Sequence, residues 1–137
     1  VDHLHMLVNQ LTETDERRGI DNLMNRLRSL VEETGVGMFL VSHLRRAAGD
    51  RGHEQGIEVS LSHLKGSQGI SQLSDCVIAL ERNQQAEDEV ESNTTKVRVL
   101  KSRYTGDTGL ACSLLYNSDT GRMSEVTDDV TLDDLPF

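Results

Sequence analysis

The side chains of this chain that could do chemistry are few, and most lie at the ends of apolar runs. His43 follows the run Val36-Gly37-Met38-Phe39-Leu40-Val41 and Ser42. There it would stand at the carboxyl edge of a sheet, where α/β proteins bind ligands. Asp2 opens a second apolar stretch, Val1 to Val8. Cations gather where apolar periodicity is missing: Arg45, Arg46 and Arg51 in one loop, and Lys65 beside Gly66 and Ser67 in the next. Flexible segments that mix cations with small residues suit a phosphate backbone, which amides and charges track without reading bases. Lys101 and Arg103 stand two residues apart on one alternating strand, and the fixed charge and fork of an Arg can meet phosphate oxygens. Each residue also has a plain reading. Asp2 fits a surface acid near a terminus, His43 a polar strand terminator, and Arg103 an exposed cation before a turn. The loop cations fit a solvated segment shared with Asp50, Glu54 and Glu58. Cys76 and Cys112 sit in apolar strands and read as small buried hydrophobes. His3, His5, His53 and His63 show no metal-ligand spacing with cysteines or acids, which argues against a zinc site.

The elements that must position these residues follow from periodicity and punctuation. Val1 to Val8 reads as a strand end running into a loop. Ile20, Leu23, Met24, Leu27, Leu30 and Val31 recur at three- and four-residue steps, which predicts a helix capped by Thr12 or Thr14 and stopped by Gly35. The continuous apolarity of Val36–Val41 predicts a strand covered on both faces, as in a parallel sheet. Leu44 to Val59 reads as a long loop, Ser67 to Ser74 as a short helix, and Cys76 to Leu80 as a second buried strand. Residues 83–94 form a polar linker. Thr95 to Arg103 alternates, Tyr104 to Gly109 turns, and Leu110 to Tyr116 returns, which gives a hairpin followed by a short last strand. The order predicts an α/β domain, parallel at first and antiparallel at its end.

Length and composition bound the possibilities. The chain has 137 residues, a net charge of −9 and 3% aromatic residues, so one modest core must rest on Leu, Val, Ile and Met. No apolar run is long enough to span a bilayer and no signal peptide is visible, and two cysteines fit a reduced, cytoplasmic compartment. The acidity is not evenly spread. Residues 1–82 carry −3, residues 83–93 carry −4, residues 94–122 carry +3 and residues 123–137 carry −5. The negative charge therefore does not exclude nucleic-acid contact by the body of the chain, because it lies mainly in a linker and a tail.

Six segments in order carry a resemblance. They are Asp2-His3; Asp15-Glu16-Arg17 with Ile20-Asp21-Asn22-Leu23-Met24; Ser42-His43-Leu44; Leu64-Lys65-Gly66-Ser67; Gln72-Leu73-Ser74-Asp75 running into Ala79-Leu80-Glu81-Arg82-Asn83-Gln84; and Lys101-Ser102-Arg103-Tyr104-Thr105-Gly106-Asp107-Thr108-Gly109. From Asp2 to about Glu125 the chain resembles the motor domain of ring-shaped replicative helicases. The likeness is nearest to the primase-helicases of T-seven-like phages and the mitochondrial Twinkle helicase, with bacterial DnaB more distant. The resemblance implies a partial RecA-like P-loop NTPase sheet over residues 1–126, with parallel strands, a flanking helix and a C-terminal antiparallel hairpin. It implies Mg²⁺ held through water by Asp2, with ATP or dTTP as the nucleotide. His43 would sense the γ-phosphate and Gln72 would relay it to the DNA loops. Arg45, Arg51 and Lys65, with Gly66 and Ser67, would contact single-stranded DNA; Gly49 and Ser71 replace cations that the phage relatives can carry. Lys101 and Arg103 match the arginine finger that reaches a neighbouring subunit of a hexamer, and Arg82 and Tyr116 match positions that sandwich the nucleotide base.

A full motor also needs a P-loop, and this chain contains no Gly-Lys dipeptide. With Val1 as its first residue, it reads as the C-terminal piece of a longer protein, one that begins at the Walker B acid and does not hydrolyse ATP alone. Residues 127–137 read as a disordered acidic tail, and the terminal Phe resembles the tails of phage helicases and of bacterial single-strand binding proteins. Asp133 and Asp134 can steer onto a basic patch and Phe137 can anchor in a pocket of a replicative DNA polymerase or another replisome protein. The plain alternative is a frayed solubilising terminus. Two other functions stay open: a RecA-like recombinase or other ring ATPase, and a non-enzymatic adaptor acting through its tail.

Overall fold

The computed structural model describes residues 1–8, 15–45, 52–66 and 68–126. The chain divides into two compact units, one of Val1–Arg45 with Leu61–Asp75, the other of Arg46–Ser60 with Cys76–Phe137.

The first unit is organised on one long helix. Asp15, extended at φ −114°, caps it by accepting a hydrogen bond from the Arg17 N–H at 3.0 Å. Thr12 and Thr14, the caps expected from sequence, lie outside the described residues. The second helix of the chain, α2 (Glu16–Thr34), ends as expected at Gly35, whose φ of +68° lets its N–H reach the Val31 carbonyl. Of its apolar stripe, Ile20, Leu23 and Met24 are buried, whereas Leu30 is exposed. The buried half packs against α1 (Leu4–Val8) and α3 (Gln68–Leu73), which contribute Leu4, Val8 and Ile70 to the core. Arg28 joins Glu32 at 2.6 Å and Asp75 at 2.8 Å, and these two carboxylates hold its pKa above the ordinary value.

Two expectations are corrected here. Where the sequence reading runs Val1–Val8 from a strand end into a loop, Leu4–Val8 is instead a short helix with Leu4, His5 and Val8 buried. Val36–Val41 forms no strand. A strand covered on both faces needs neighbours on both sides. Among the described residues, this run's backbone is paired only to the opening of the chain: Val1 N to Phe39 O at 2.6 Å, Val41 N to Val1 O at 2.9 Å, and Leu4 N to Val41 O at 2.9 Å. Phe39 is accordingly 88% exposed.

The second unit is a four-stranded sheet in the order β1 (Cys76–Arg82), β2 (Thr94–Ser102), β3 (Gly109–Asn117), β4 (Arg122–Val126), with every pair antiparallel. The hairpin and the last strand agree with the sequence reading; the parallel strands do not, among the described residues. β1 is an edge strand, not a doubly covered one. Ala79 and Glu81 point inward, while Ile78 and Leu80, on the opposite face, are 55% and 68% exposed. The polar linker contains a helical turn, α4 (Glu89–Asn93), whose N-cap Asp88 accepts from the Glu91 N–H. The class is therefore α/β, with its described sheet built as a meander.

Candidate functional site

Within the first unit, three segments expected to carry function converge. Leu44 and Leu64 form an antiparallel bridge, closed by Lys65 N to His43 O at 3.0 Å and Arg45 N to His63 O at 2.7 Å. Leu64 turns into the core. Alternation along an extended backbone then sends the flanking residues His43, Arg45 and Lys65 away from it. The bridge thus aligns the sensor candidate with two loop cations. Gly66 follows at φ +113°, and a Cβ there would run into Ile20 Cδ1. Asp2 is exposed beside this region, adjacent in the chain to the ring of His3.

His3 and His5, whose spacing argues against a zinc site, belong here as well. The rings of His3 and His43 meet edge-on at 4.1 Å between centroids, and His5 lies 5.7 Å from His43 and 6.0 Å from His3. His5 is buried, and its Nε2 stands 3.9 Å from Glu16 Oε1. The same oxygen lies 3.7 Å from Lys65 Nζ. Burial lowers the His5 pKa below its ordinary 6.5. Lys65 lowers it further, Glu16 raises it, and His43 and His3 each lower it. The signal available in sequence was the His-x-His pair at positions 3 and 5, which acquires a meaning only when His43 is folded against it. No group of three His, Cys, Asp or Glu among the described residues can hold a metal ion. Gln72, on α3, lines a polar cleft of about 260 Å³ with Arg17, Asp21, Asn25 and Gln68.

The second unit carries the other candidates. Its register puts Arg82 opposite Thr95 and Thr95 opposite Leu114, and Tyr116 follows two residues on, so Arg82 and Tyr116 share one sheet face. The Arg82 guanidinium donates to the Ser92 carbonyl at 2.6 Å and to Asn93 Oδ1 at 3.0 Å. Lys101 lies on β2 opposite Val77. Arg103 does not share that strand face: β2 ends at Ser102 and Arg103 occupies the exposed turn that follows. That turn is held by Gly106 N to Ser102 O at 3.0 Å and by the Ser102–Thr105 hydroxyl pair at 2.8 Å. Arg51, Ser67, Asp133, Asp134 and Phe137 lie outside the described residues.

A family profile described as "DnaB-like helicase C terminal domain" matches residues 1–125. A "DNA helicase/primase" of Enterobacteria phage T3 is 44% identical over 121 residues, covering 88% of this chain and 21% of that protein. The chain thus spans about a fifth of that relative's length. No helix among the described residues is long and apolar enough to cross a membrane.

Proposed function

The chain belongs to the DnaB-like helicase C-terminal domain family, and from that premise we propose that it forms part of the motor of an NTP-driven replicative DNA helicase. The observation that carries this reading is the Leu44–Leu64 bridge, which sets His43 beside Arg45 and Lys65. A group that would sense a nucleotide phosphate and groups that would hold a DNA backbone then share one two-bond backbone bridge. A displacement of His43 moves Lys65, because the Lys65 N–H is bonded to the His43 carbonyl.

Asp2 would take the Mg²⁺ of an ATP or dTTP complex. One exposed carboxylate, without a cage of ligands among the described residues, fits a cation that keeps its waters and shares substrate phosphates. When bound, that cation supplies charge neutralisation at the phosphates. Arg82 and Tyr116 would enclose the base from one sheet face; the hydrogen bonds to Ser92 and Asn93 lie in the guanidinium plane and fix it for stacking. Arg103, carried beyond β2 in a braced turn, would reach the γ-phosphate of a neighbouring subunit in a hexameric ring, with Lys101 behind it. Gln72 would couple the nucleotide side to the DNA side. In the intact ring Val36–Val41 would serve as a parallel strand, since the bonds from Val1 to Phe39 and from Val41 to Val1 bracket Leu40 as a parallel pair does. Residues 127–137 would form the acidic tail that docks a replicative polymerase through Asp133, Asp134 and Phe137. The helicase family and the phage relative support this reading over a recombinase or an adaptor.

The test uses the intact protein and a single-stranded oligonucleotide. Arg45→Ala and Lys65→Ala should each weaken binding and reduce the slope of log K against log salt by about 0.7, the share of one phosphate contact. Nucleotide binding should be retained. A salt slope equal to that of the unmodified protein in both variants overturns the assignment.

A further inference from the structure

We propose that His5 is a proton-linked positioning residue for Lys65, competing with it for Glu16 and taking up a proton as the Lys65 loop engages a nucleic-acid phosphate backbone. The inference rests on the DNA-contact reading of Lys65 given above.

The geometry is a three-member chain centred on one oxygen. Glu16 Oε1 lies 3.7 Å from Lys65 Nζ on one side and 3.9 Å from His5 Nε2 on the other. Glu16 and Lys65 are about half exposed, whereas the His5 side chain is 7% exposed and lies in the core. Among the described residues neither ring nitrogen of His5 has a hydrogen-bond partner. Glu16 becomes an acceptor for an imidazole so placed by turning toward it. His5 also faces the loop itself, its Nε2 being 3.9 Å from where a Cβ of Gly66 would stand. The groups that face it are Glu16 from α2, Lys65 from its loop, His43 from the bridge, and His3 from its own segment.

With Lys65 paired to Glu16, the ammonium stands close and disfavours a second positive charge on His5. A phosphate that draws Lys65 away removes this repulsion and leaves Glu16 to the imidazole. Both changes favour the imidazolium, so backbone binding and proton uptake promote each other. The consequence is reciprocal: mild acid should strengthen the grip on DNA beyond any general electrostatic effect. A rise of half a unit in the His5 midpoint on binding corresponds to about threefold in affinity.

The experiment measures the affinity of the intact protein for an oligothymidylate at constant ionic strength from pH 8 to pH 5.5. Calorimetry at pH 6 in two buffers of different ionisation enthalpy counts the protons taken up. The unmodified protein should tighten by about threefold more than His5→Asn over this range, and His5→Asn should take up fewer protons. Glu16→Gln, at an exposed position, should also flatten the profile, and it keeps the test open if His5→Asn does not fold. Binding whose pH profile and proton uptake are the same in the unmodified protein and the variants overturns the role of His5 and leaves the DNA reading standing. Absence of oligonucleotide binding by the unmodified protein overturns the DNA reading and this proposal with it.

Discussion

Glu81 lies on β1 with its side chain 3% exposed, accepting from the Val59 N–H at 2.8 Å and from Arg98 Nε at 2.9 Å. Arg98 reaches Glu58 as well at 3.4 Å, and its pKa is held above the ordinary value chiefly by the hydrogen bond to Glu81. A buried carboxylate with two donors ties a loop residue to the sheet. Replacing it strands the Val59 N–H, which is itself buried. Glu81→Met should therefore cost about 1–3 kcal/mol, the penalty for an unsatisfied buried donor, measured by denaturant unfolding. In the sequence Glu81 is one acid within Ala-Leu-Glu-Arg-Asn-Gln, and no periodicity marks it as buried. His5 gives a second prediction at this scale. Its folded pKa lies below its ordinary 6.5, so the unfolded chain binds the proton more readily. Stability should be full above pH 6.5 and should decline as pH falls below it, and His5→Asn should flatten that decline. Unfolding midpoints of both proteins from pH 8 to pH 5 check this.

Glycines at element ends show how local chemistry and packing separate. Gly35 and Gly66 both have positive φ, at +68° and +113°. A Cβ at Gly35 meets nothing within 4 Å, while one at Gly66 runs into the buried Ile20 side chain. Gly35→Ala should cost about 1 kcal/mol through backbone strain alone. Gly66→Ala should add the clash and reach about 1–3 kcal/mol or more. Equal losses in urea unfolding would show that Ile20 yields without cost. The sequence made α2 and the β2–β3 hairpin legible, because a 3.6-residue stripe, a cap and a turn are local properties. It placed β1 but overstated its burial, and it read a covered strand into Val36–Val41, since an apolar segment of that length does not state how many neighbours it will have. Arg103 lies off the strand face because β2 ends one residue before it.

At the scale of the whole chain, charge is segregated: residues 123–137, the end of β4 and the tail, carry −5 while residues 94–122 carry +3. An acidic segment that also carries an aromatic side chain, Phe137, suits a partner with a basic, pocketed surface. On the docking reading proposed above, deleting Phe137 from the intact protein should weaken binding to a replicative polymerase about tenfold, the effect of losing an aromatic anchor, and leave any NTP hydrolysis unchanged. Polymerase binding at the original affinity would remove the tail from the docking surface. Family membership, the positions of the candidate residues and the uneven charge were determined by the sequence alone, for they depend on residue type and order. Tertiary structure alone decided that His3 and His5 gather around His43, that Glu16 stands between His5 and Lys65, and that every strand of the described sheet is antiparallel. Those outcomes depend on which distant segments pair and what they exclude from water, and no local pattern in the chain encodes them.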